Sequence, residues 1–248
     1  ERGKCGPRAA IVLSRVSLYA WRRFFPDGEP VGLALFDLDN TLIGGDSDYL
    51  WGCFLAEQGI VDGAYYEREN QRFYDQYKAG ELDIHEFLRF QLRPLAEHDL
   101  PTLRHWRSAY IEEKIRPILL PLAHSLLDEH RNRGDTVVII TATNSFITRP
   151  IADLYGVEYL LATEPEIVED RYTGNVEGIP CFQHGKVEKL DTWLAENNAG
   201  LQDSWFYSDS HNDLPLLNRV TRPVAVDPDD ILRQHAIEHE WRIMSLRD

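Results

Sequence analysis

The stretch VGLALFDLDNTLI, residues 31–43, decides the fold of this 248-residue chain. Its first five residues form an apolar run that predicts a buried strand of a parallel sheet. Two carboxylates, Asp37 and Asp39, follow where that strand ends. Buried carboxylates are costly unless a cation or a reaction employs them, so this strand end is the first candidate for a functional site.

Three later segments combine an apolar run or a helix start with polar residues. Residues 137–144, VVIITATN, are a second apolar strand and end in hydroxyl and amide side chains that include Thr141. Residues 185–190, GKVEKL, open a predicted helix with Lys186 near its start. Residues 205–213, WFYSDSHND, form another short strand followed by a loop that carries two more aspartates.

Together and in this order, the four segments resemble the motifs of the haloacid dehalogenase-like (HAD) phosphohydrolases over residues 31–213. The resemblance implies that Asp37 is a nucleophile that becomes an aspartyl-phosphate, and that Asp39 is the general acid and base. It also implies Mg²⁺ as the cofactor, bound by the side chains of Asp37 and Asp209 and by the Asp39 carbonyl oxygen. Asp213 is expected to support a metal-bound water, although a direct metal–ligand role stays open.

The resemblance further implies a cradle for the phosphoryl group. Thr141 and Lys186 are expected to bind its oxygens, together with backbone amides that follow the nucleophile and Thr141, the latter on Ala142. Lys189 is the alternative to Lys186. We prefer Lys186 because Leu190, four positions on, matches the K-x-x-x-L spacing of the phosphoserine-phosphatase branch of the family.

Residues 47–121 carry helix signals and no strand-like run, with predicted helices at 47–58, 62–79, 83–97 and 101–116. An all-helical insertion between the first and second motifs resembles the C1 cap of the phosphoserine-phosphatase branch. We therefore expect a core of residues 30–46 and 122–248, a cap of residues 47–121, and a basic N-terminal extension of residues 1–29.

Strands and helices alternate after the insertion, which predicts an α/β fold: a three-layer, doubly wound, mostly parallel sheet with helices on both faces. The expected elements are helix 122–133, strand 137–144, helix 146–155, strand 159–162, a hairpin across 166–177, helix 186–197, strand 204–208, a short helix from 213, strand 223–226, helix 229–239 and an edge strand 242–246.

Charge and composition exclude several classes of protein. The chain has 41 acidic and 26 basic residues, a net charge of −15, which argues against nucleic-acid and anionic-membrane binding. Three scattered cysteines and no C-x-x-C favour reduced thiols and a cytoplasmic protein, and no run approaches the ~20 apolar residues of a membrane span. The basic residues 1–25 are either a targeting segment or an upstream extension.

Asp46 is the main clue to the substrate. Phosphoserine phosphatases carry an acidic residue nine positions after the nucleophile that contacts the substrate ammonium, and here that residue is Asp46. The alternative is a helix-capping role. Phosphoserine would also need a cap cation for its carboxylate, for which Arg72, Arg89 and Arg93 are candidates.

Histidinol phosphate has an amine and no carboxylate, and is the leading candidate substrate. Some bacterial proteins similar to this chain across FDLDNTL…DSD, TATN and YSDSHNDLPLL are histidinol-phosphate phosphatases. The partner is then a small phosphorylated metabolite, with the oligomeric state open.

Two other functions remain open on sequence alone. A non-catalytic HAD-like module that binds Mg²⁺ or a protein predicts loss of a motif residue, and none is lost here. A phosphotransferase is the second alternative, because the choice of acceptor depends on how well the cap excludes water. His211 lies in the fourth motif, where an exposed loop histidine is favoured over a catalytic one.

Overall fold

The computed structural model describes residues 32–247, so the predicted extension at residues 1–29 lies outside the described residues. A seven-stranded sheet forms the centre of this part of the chain. Its strands are β1 (Leu33–Phe36), β2 (Thr136–Asn144), β3 (Tyr159–Val168), β4 (Arg171–Glu177), β5 (Trp205–Ser208), β6 (Arg222–Val226) and β7 (Arg242–Met244). The order is β4-β3-β2-β1-β5-β6-β7, and every pairing is parallel except the antiparallel pair β3–β4.

Strand β1 is central because its four residues, LALF, are all buried and can pack on both faces of the sheet. Ala34 pairs with Val137 of β2 on one side and with Trp205 of β5 on the other. The carboxyl ends of these three strands therefore lie side by side, which is the edge where ligands bind in open α/β sheets.

Four helices lie within residues 47–121, as the sequence predicted. Each is capped at its start by an aspartate whose side chain accepts a backbone hydrogen bond, which satisfies an N–H group that the helix itself cannot pair. The helices are α1 (Ser47–Glu57), α2 (Gly63–Ala79), α3 (Ile84–Glu97) and α4 (Leu100–Tyr110).

The predicted end of the fourth helix at residue 116 is wrong. Helix α4 ends at Tyr110, and a π-helical turn, Ile111–Ile115, and a 3₁₀ turn, Arg116–Ile118, follow it. The wider turn keeps Ile111 and Ile115 buried ahead of Pro117, which lacks the N–H group that a continued helix needs.

The remaining helices cover the two faces of the sheet and complete the predicted three layers. Leu33 and Leu35 of β1 pack with Trp193 and Leu232 from helices on one face, whereas Phe36 points to the other face and contacts His130 of the helix Pro121–Arg133. None of the helices within residues 32–247 is long and apolar enough to cross a bilayer. The helices that cover the two faces of the sheet are α5 (Pro121–Arg133), α6 (Ser145–Leu154), α7 (His184–Glu196), α8 (Leu214–Leu217) and α9 (Asp230–Glu238).

Strand β3 is longer than the predicted strand 159–162. It continues to Val168, past its parallel pairing with β2, and forms an antiparallel hairpin with β4. Glu169 and Asp170, the two turn residues, have φ values of 49° and 58°, the left-handed conformation of a tight two-residue hairpin turn. The hairpin lies against the insertion, because a Cβ atom at Gly174 would be 3.3 Å from Ala96 Cβ of α3.

A buried polar network ties α5 to the sheet. The fully buried His130 bonds through Nδ1 to Asp135 Oδ2 at 2.7 Å and through Nε2 to the Tyr207 hydroxyl at 2.9 Å. Burial lowers the pKa of His130, so the ring is neutral at pH 7, with Nδ1 donating to the carboxylate and Nε2 accepting from the phenol. Asp135 also accepts the Gly32 N–H at 2.8 Å. The network thus connects the helix with the strands on both sides of β1.

We expect His130→Ala to lower the free energy of unfolding by roughly 2–4 kcal/mol, because it opens a cavity and removes a partner from two buried polar groups. The midpoint of urea unfolding measures this loss. The control is His184→Ala at the exposed first residue of α7, which should change stability by less than ~0.5 kcal/mol. Equal effects of the two substitutions would contradict the role given to the network.

Candidate active site

The predicted site residues converge at the carboxyl ends of β1, β2 and β5. Asp37 follows β1 directly, and its N–H still donates to the Tyr207 carbonyl of β5 at 2.9 Å. Thr141 lies near the end of β2, and Asp209 follows β5. Residues more than a hundred positions apart in sequence therefore share one strand edge.

Lys186 connects two of the carboxylates. Its Nζ lies 2.7 Å from Asp37 Oδ1 and 2.8 Å from Asp213 Oδ2, and all three side chains are buried. The Ser208 hydroxyl donates to the same Asp213 oxygen at 2.7 Å. The structure thus brings Lys186, and not its alternative Lys189, into contact with the predicted nucleophile.

Helix α7 can deliver Lys186 to this position because residue 185 is glycine. A Cβ atom there would lie 1.9 Å from the Pro180 carbonyl oxygen, far inside any tolerable contact. Any larger residue at position 185 would push the start of α7, and the lysine with it, away from the strand edge.

Asp39 lies beside the nucleophile but has different partners. Its Oδ2 accepts from the Thr143 hydroxyl at 2.8 Å and from the Thr141 hydroxyl at 3.4 Å, and its Oδ1 accepts the Ser47 N–H at 2.7 Å. Burial raises the pKa of Asp39 to about 6, with a further contribution from the charge of Asp46. Thr143 was not among the predicted site residues, although it stands two positions after Thr141 on the same strand and so shares its face.

The Thr41 hydroxyl bridges Asp37 and Asp209. It lies 3.4 Å from Asp37 Oδ2 and 3.3 Å from Asp209 Oδ1, so the two carboxylates face each other across one small group. Burial raises the pKa of Asp37 to about 7, against the opposing effect of Lys186. Burial also raises the pKa of Asp209, with further contributions from the charges of Asp37 and Asp213. The site therefore holds more buried negative charge than the ammonium group of Lys186 balances.

This donor set fits a hard divalent cation. Asp37 and Asp209 offer carboxylate oxygens, the ligand type that Mg²⁺ prefers, and a cation would offset the excess negative charge. Within residues 32–247, no three or more acidic, histidine or cysteine side chains form a ready-made metal cluster. A Mg²⁺ ion would consequently complete its shell with a backbone carbonyl and waters, as the sequence analysis expected from Asp39. Asp213 instead accepts from Lys186 and Ser208, which suits a supporting role.

Asp46 caps helix α1 and also lies near Asp37 and Asp39. Its side chain is exposed, and Oδ1 accepts the Tyr49 N–H at 2.9 Å. This is the helix-capping contact, one of the two roles predicted for Asp46. The protein packed around it raises its pKa, and the charge of Asp37 adds to this. The capping contact to Oδ1 does not test whether this side chain also meets a substrate ammonium, which stays a prediction.

Two further residues complete the placement of the predicted site. Ala142 is half-buried on β2, and its carbonyl accepts from the Thr163 hydroxyl at 2.7 Å. The expectation that His211 is an exposed loop residue is wrong, since its side chain is only 15 % exposed. Asp229, which caps α9, holds it by accepting from both His211 Nδ1 at 2.8 Å and its backbone N–H at 2.9 Å.

Two of the three arginines proposed to bind a substrate carboxylate have other partners. Arg72 lies 2.9 Å from Glu69 and 3.0 Å from Glu86, and Arg93 Nε lies 2.8 Å from Glu97. Arg89 is exposed on α3. Two of the three candidates are therefore ion-paired within the helical insertion.

The model of the haloacid dehalogenase-like hydrolase family matches residues 34–218. The chain belongs to this family. A histidinol-phosphatase from Neisseria meningitidis serogroup C (strain 8013) is 42% identical over 219 residues, covering 87% of this chain and 99% of that protein. The predicted family and enzyme class are confirmed: the chain is a HAD-type phosphatase.

Solved structures with similar folds include one of unknown function and one phosphoserine phosphatase. The crystal structure of a protein of unknown function from Bordetella pertussis Tohama I has a TM-score of 0.83 and 43% identity, covering 88% of this HAD-like chain and 100% of that one. A phosphoserine phosphatase, solved as an analogue of its phospho-aspartyl intermediate, has a TM-score of 0.66 and 21% identity, covering 88% and 95%. The predicted HAD-like α/β fold is thereby confirmed.

Proposed function

We propose that this HAD-type phosphatase is a Mg²⁺-dependent phosphomonoesterase that forms an aspartyl-phosphate on Asp37. We propose further that its substrate is a small phosphate ester with an amine, with histidinol phosphate as the leading candidate. The observation that carries the proposal is that two neighbouring carboxylates, Asp37 and Asp39, have different hydrogen-bonding partners. Asp37 contacts the ammonium of Lys186, whereas Asp39 contacts hydroxyl and amide donors.

Each carboxylate then has a distinct task. Asp37 attacks phosphorus through Oδ2, while Lys186 holds Oδ1 and offsets charge on the phosphoryl group. Asp39 protonates the departing alkoxide and later takes a proton from the water that hydrolyses the aspartyl-phosphate. Its pKa of about 6 lets it hold or release a proton near neutral pH. Thr143 and the Ser47 N–H keep its carboxylate in place between the two steps.

The Mg²⁺ ion, bound by Asp37, Asp209 and the Asp39 carbonyl, would neutralise charge on the phosphoryl oxygens. The Thr41 hydroxyl keeps the two side-chain ligands facing each other. Ser208 and Lys186 hold the Asp213 carboxylate in place by hydrogen bonds. The residues present therefore suit the attack by Asp37 and the stabilisation of the negative charge that develops on the phosphoryl oxygens.

Charge favours an amine-bearing substrate. Asp46 is solvent-accessible, and its charge is felt by both Asp37 and Asp39, so an ammonium near it would be attracted. A carboxylate on the substrate would have to compete with glutamates for Arg72 or Arg93. Histidinol phosphate needs only the amine contact, and the Neisseria relative is named for this activity. Phosphoserine stays the second candidate because Arg89 is exposed on α3.

A panel of phosphomonoesters tests this function. The wild-type protein should release inorganic phosphate from histidinol phosphate, phosphoserine and an aryl phosphate with Mg²⁺, and stop when EDTA removes the metal. The value of kcat/KM should be highest for histidinol phosphate. A maximum for phosphoserine would replace the leading substrate, and no release with any ester or divalent metal would overturn the phosphomonoesterase proposal in favour of a binding module.

Asp46→Asn should lower kcat/KM for histidinol phosphate roughly ten- to a hundredfold and spare an aryl phosphate without an amine. The charge-assisted contact is lost only where the substrate supplies a cation, while the Asn side chain still caps α1. Steady-state kinetics on both substrates measure this selectivity. An equal decline for both would show that Asp46 has only a structural role.

A further inference from the structure

The end of helix α2 reaches the loop of residues 209–213. The Tyr77 hydroxyl, near the last turn of α2, donates to Ser210 Oγ at 2.7 Å. Asn212 of the same loop donates through Nδ2 to the Tyr77 carbonyl at 3.4 Å. One residue of the helical insertion thus bonds to the loop through both its side chain and its backbone.

Ser210 connects the Tyr77 hydroxyl to the rest of the loop by further hydrogen bonds. It is 4 % exposed, and its Oγ accepts the Asn212 N–H at 3.2 Å, which caps the 3₁₀ turn His211–Asp213. Its own N–H donates to Ser208 Oγ at 3.2 Å, and that hydroxyl donates to Asp213 at 2.7 Å. A continuous path of hydrogen bonds therefore runs from the insertion to a carboxylate of the site.

The surroundings keep the phenol in place as a donor. The Tyr77 ring lies 6.2 Å from the ring of Phe182, and Gln183 Nε2 holds the Asn212 side chain at 2.8 Å. Burial raises the pKa of Tyr77 well above its usual value, and the charges of Asp209 and Asp213 add to this. The hydroxyl stays protonated and can donate to Ser210 at any ordinary pH.

We propose that Tyr77 is a positioning residue, whose hydroxyl couples the seating of helix α2 to the geometry of the 209–213 loop and so to Asp209 and Asp213. Nothing in the catalytic cycle requires Tyr77 to touch the phosphate. Its effect passes through Ser210. The inference rests on the proposed function for the roles of the two aspartates, but the coupling itself concerns the free protein.

The test is Tyr77→Phe, which removes the hydroxyl and keeps the ring against Phe182. Its matched control is Tyr74→Phe, which removes a hydroxyl from an exposed tyrosine of the same helix, one turn earlier. Hydrogen exchange followed by mass spectrometry on the metal-free protein should show faster deuterium uptake across residues 209–217 in Tyr77→Phe only. No change in that segment would overturn the coupling, whether or not the protein proves to be a phosphatase.

Activity gives the second readout. Because one neutral hydrogen bond is lost, the Mg²⁺ concentration for half-maximal turnover of an aryl phosphate should rise roughly 3- to 10-fold in Tyr77→Phe and stay unchanged in Tyr74→Phe. The KM for the ester at saturating Mg²⁺ should change less. A rise in KM with an unaltered Mg²⁺ requirement would make Tyr77 a substrate contact and overturn the positioning role.

A double-mutant cycle shows whether Ser210 carries the effect. Adding Tyr77→Phe to Ser210→Ala should change neither loop exchange nor the Mg²⁺ requirement further, because the accepting hydroxyl is already gone. Additive effects of the two substitutions would overturn the proposed path through Ser210.

Discussion

Asp37→Asn should abolish phosphate release. The amide is a poor nucleophile, removes a charge from the metal site and weakens the contact with Lys186. Loss of a catalytic nucleophile in a hydrolase costs on the order of 10⁶-fold in kcat, so the residual rate should fall to the limit of a phosphate-release assay. Steady-state turnover of histidinol phosphate and of an aryl phosphate measures the loss.

The fold should survive this substitution. Burial raises the pKa of Asp37 to about 7, which means that the ionised carboxylate is disfavoured in the folded metal-free protein, and a neutral amide relieves that cost. The melting temperature should therefore stay level or rise. Asp128→Asn is the matched control, because Asp128 is exposed on α5 and should keep full activity. Substantial turnover by a folded Asp37→Asn protein would remove Asp37 from the mechanism.

Asp39→Asn should slow turnover by ~10²–10⁴-fold, the usual contribution of a general acid or base. An asparagine can still accept from Thr143, but it can neither protonate the leaving alkoxide nor take a proton from water. Hydrolysis of the aspartyl-phosphate should suffer most, because an activated aryl leaving group needs little protonation. An aryl phosphate should consequently give a burst of phenol release followed by slow turnover, whereas a near-wild-type steady rate would contradict the assignment.

The strands and helices that carry the candidate site residues could be predicted from the sequence because their signals are local. The apolar run that ends before Asp37 is short, which favours a strand over a helix, and the structure has a fully buried strand at residues 33–36. Helix-start residues such as Ser47 and Pro101 marked the inserted helices in the sequence, and Gly80 marked the end of α2, where it has a φ of 71°. The resemblance of the four motifs to the family implied which residues form the site, and the structure brings these distant residues to one strand edge.

The wrong predictions concern features that depend on tertiary packing, such as the length of β3 and the exposure of His211. Pro165 lies inside β3, and a proline normally argues against a continuous strand, but here the register shifts beside it and the strand goes on as half of a hairpin. His211 looked exposed because its partner, Asp229, is eighteen residues away on another element.

Tyr77 carried no signal in the sequence, since a helical tyrosine reveals neither the loop it faces nor the serine it meets. Its contact depends on how α2 lies over the strand edge, and helical periodicity does not contain that information.

The most direct test of the account is to trap the phosphoenzyme. Wild-type protein and Asp39→Asn are quenched with acid during turnover with Mg²⁺ and an ester that the wild type hydrolyses, and the peptide that contains residues 31–43 is examined by mass spectrometry. We expect the mass of one phosphoryl group on Asp37, at higher occupancy in Asp39→Asn because its hydrolysis is slowed. Turnover with no phosphoryl group on this peptide, or with one on a different residue, would contradict the account.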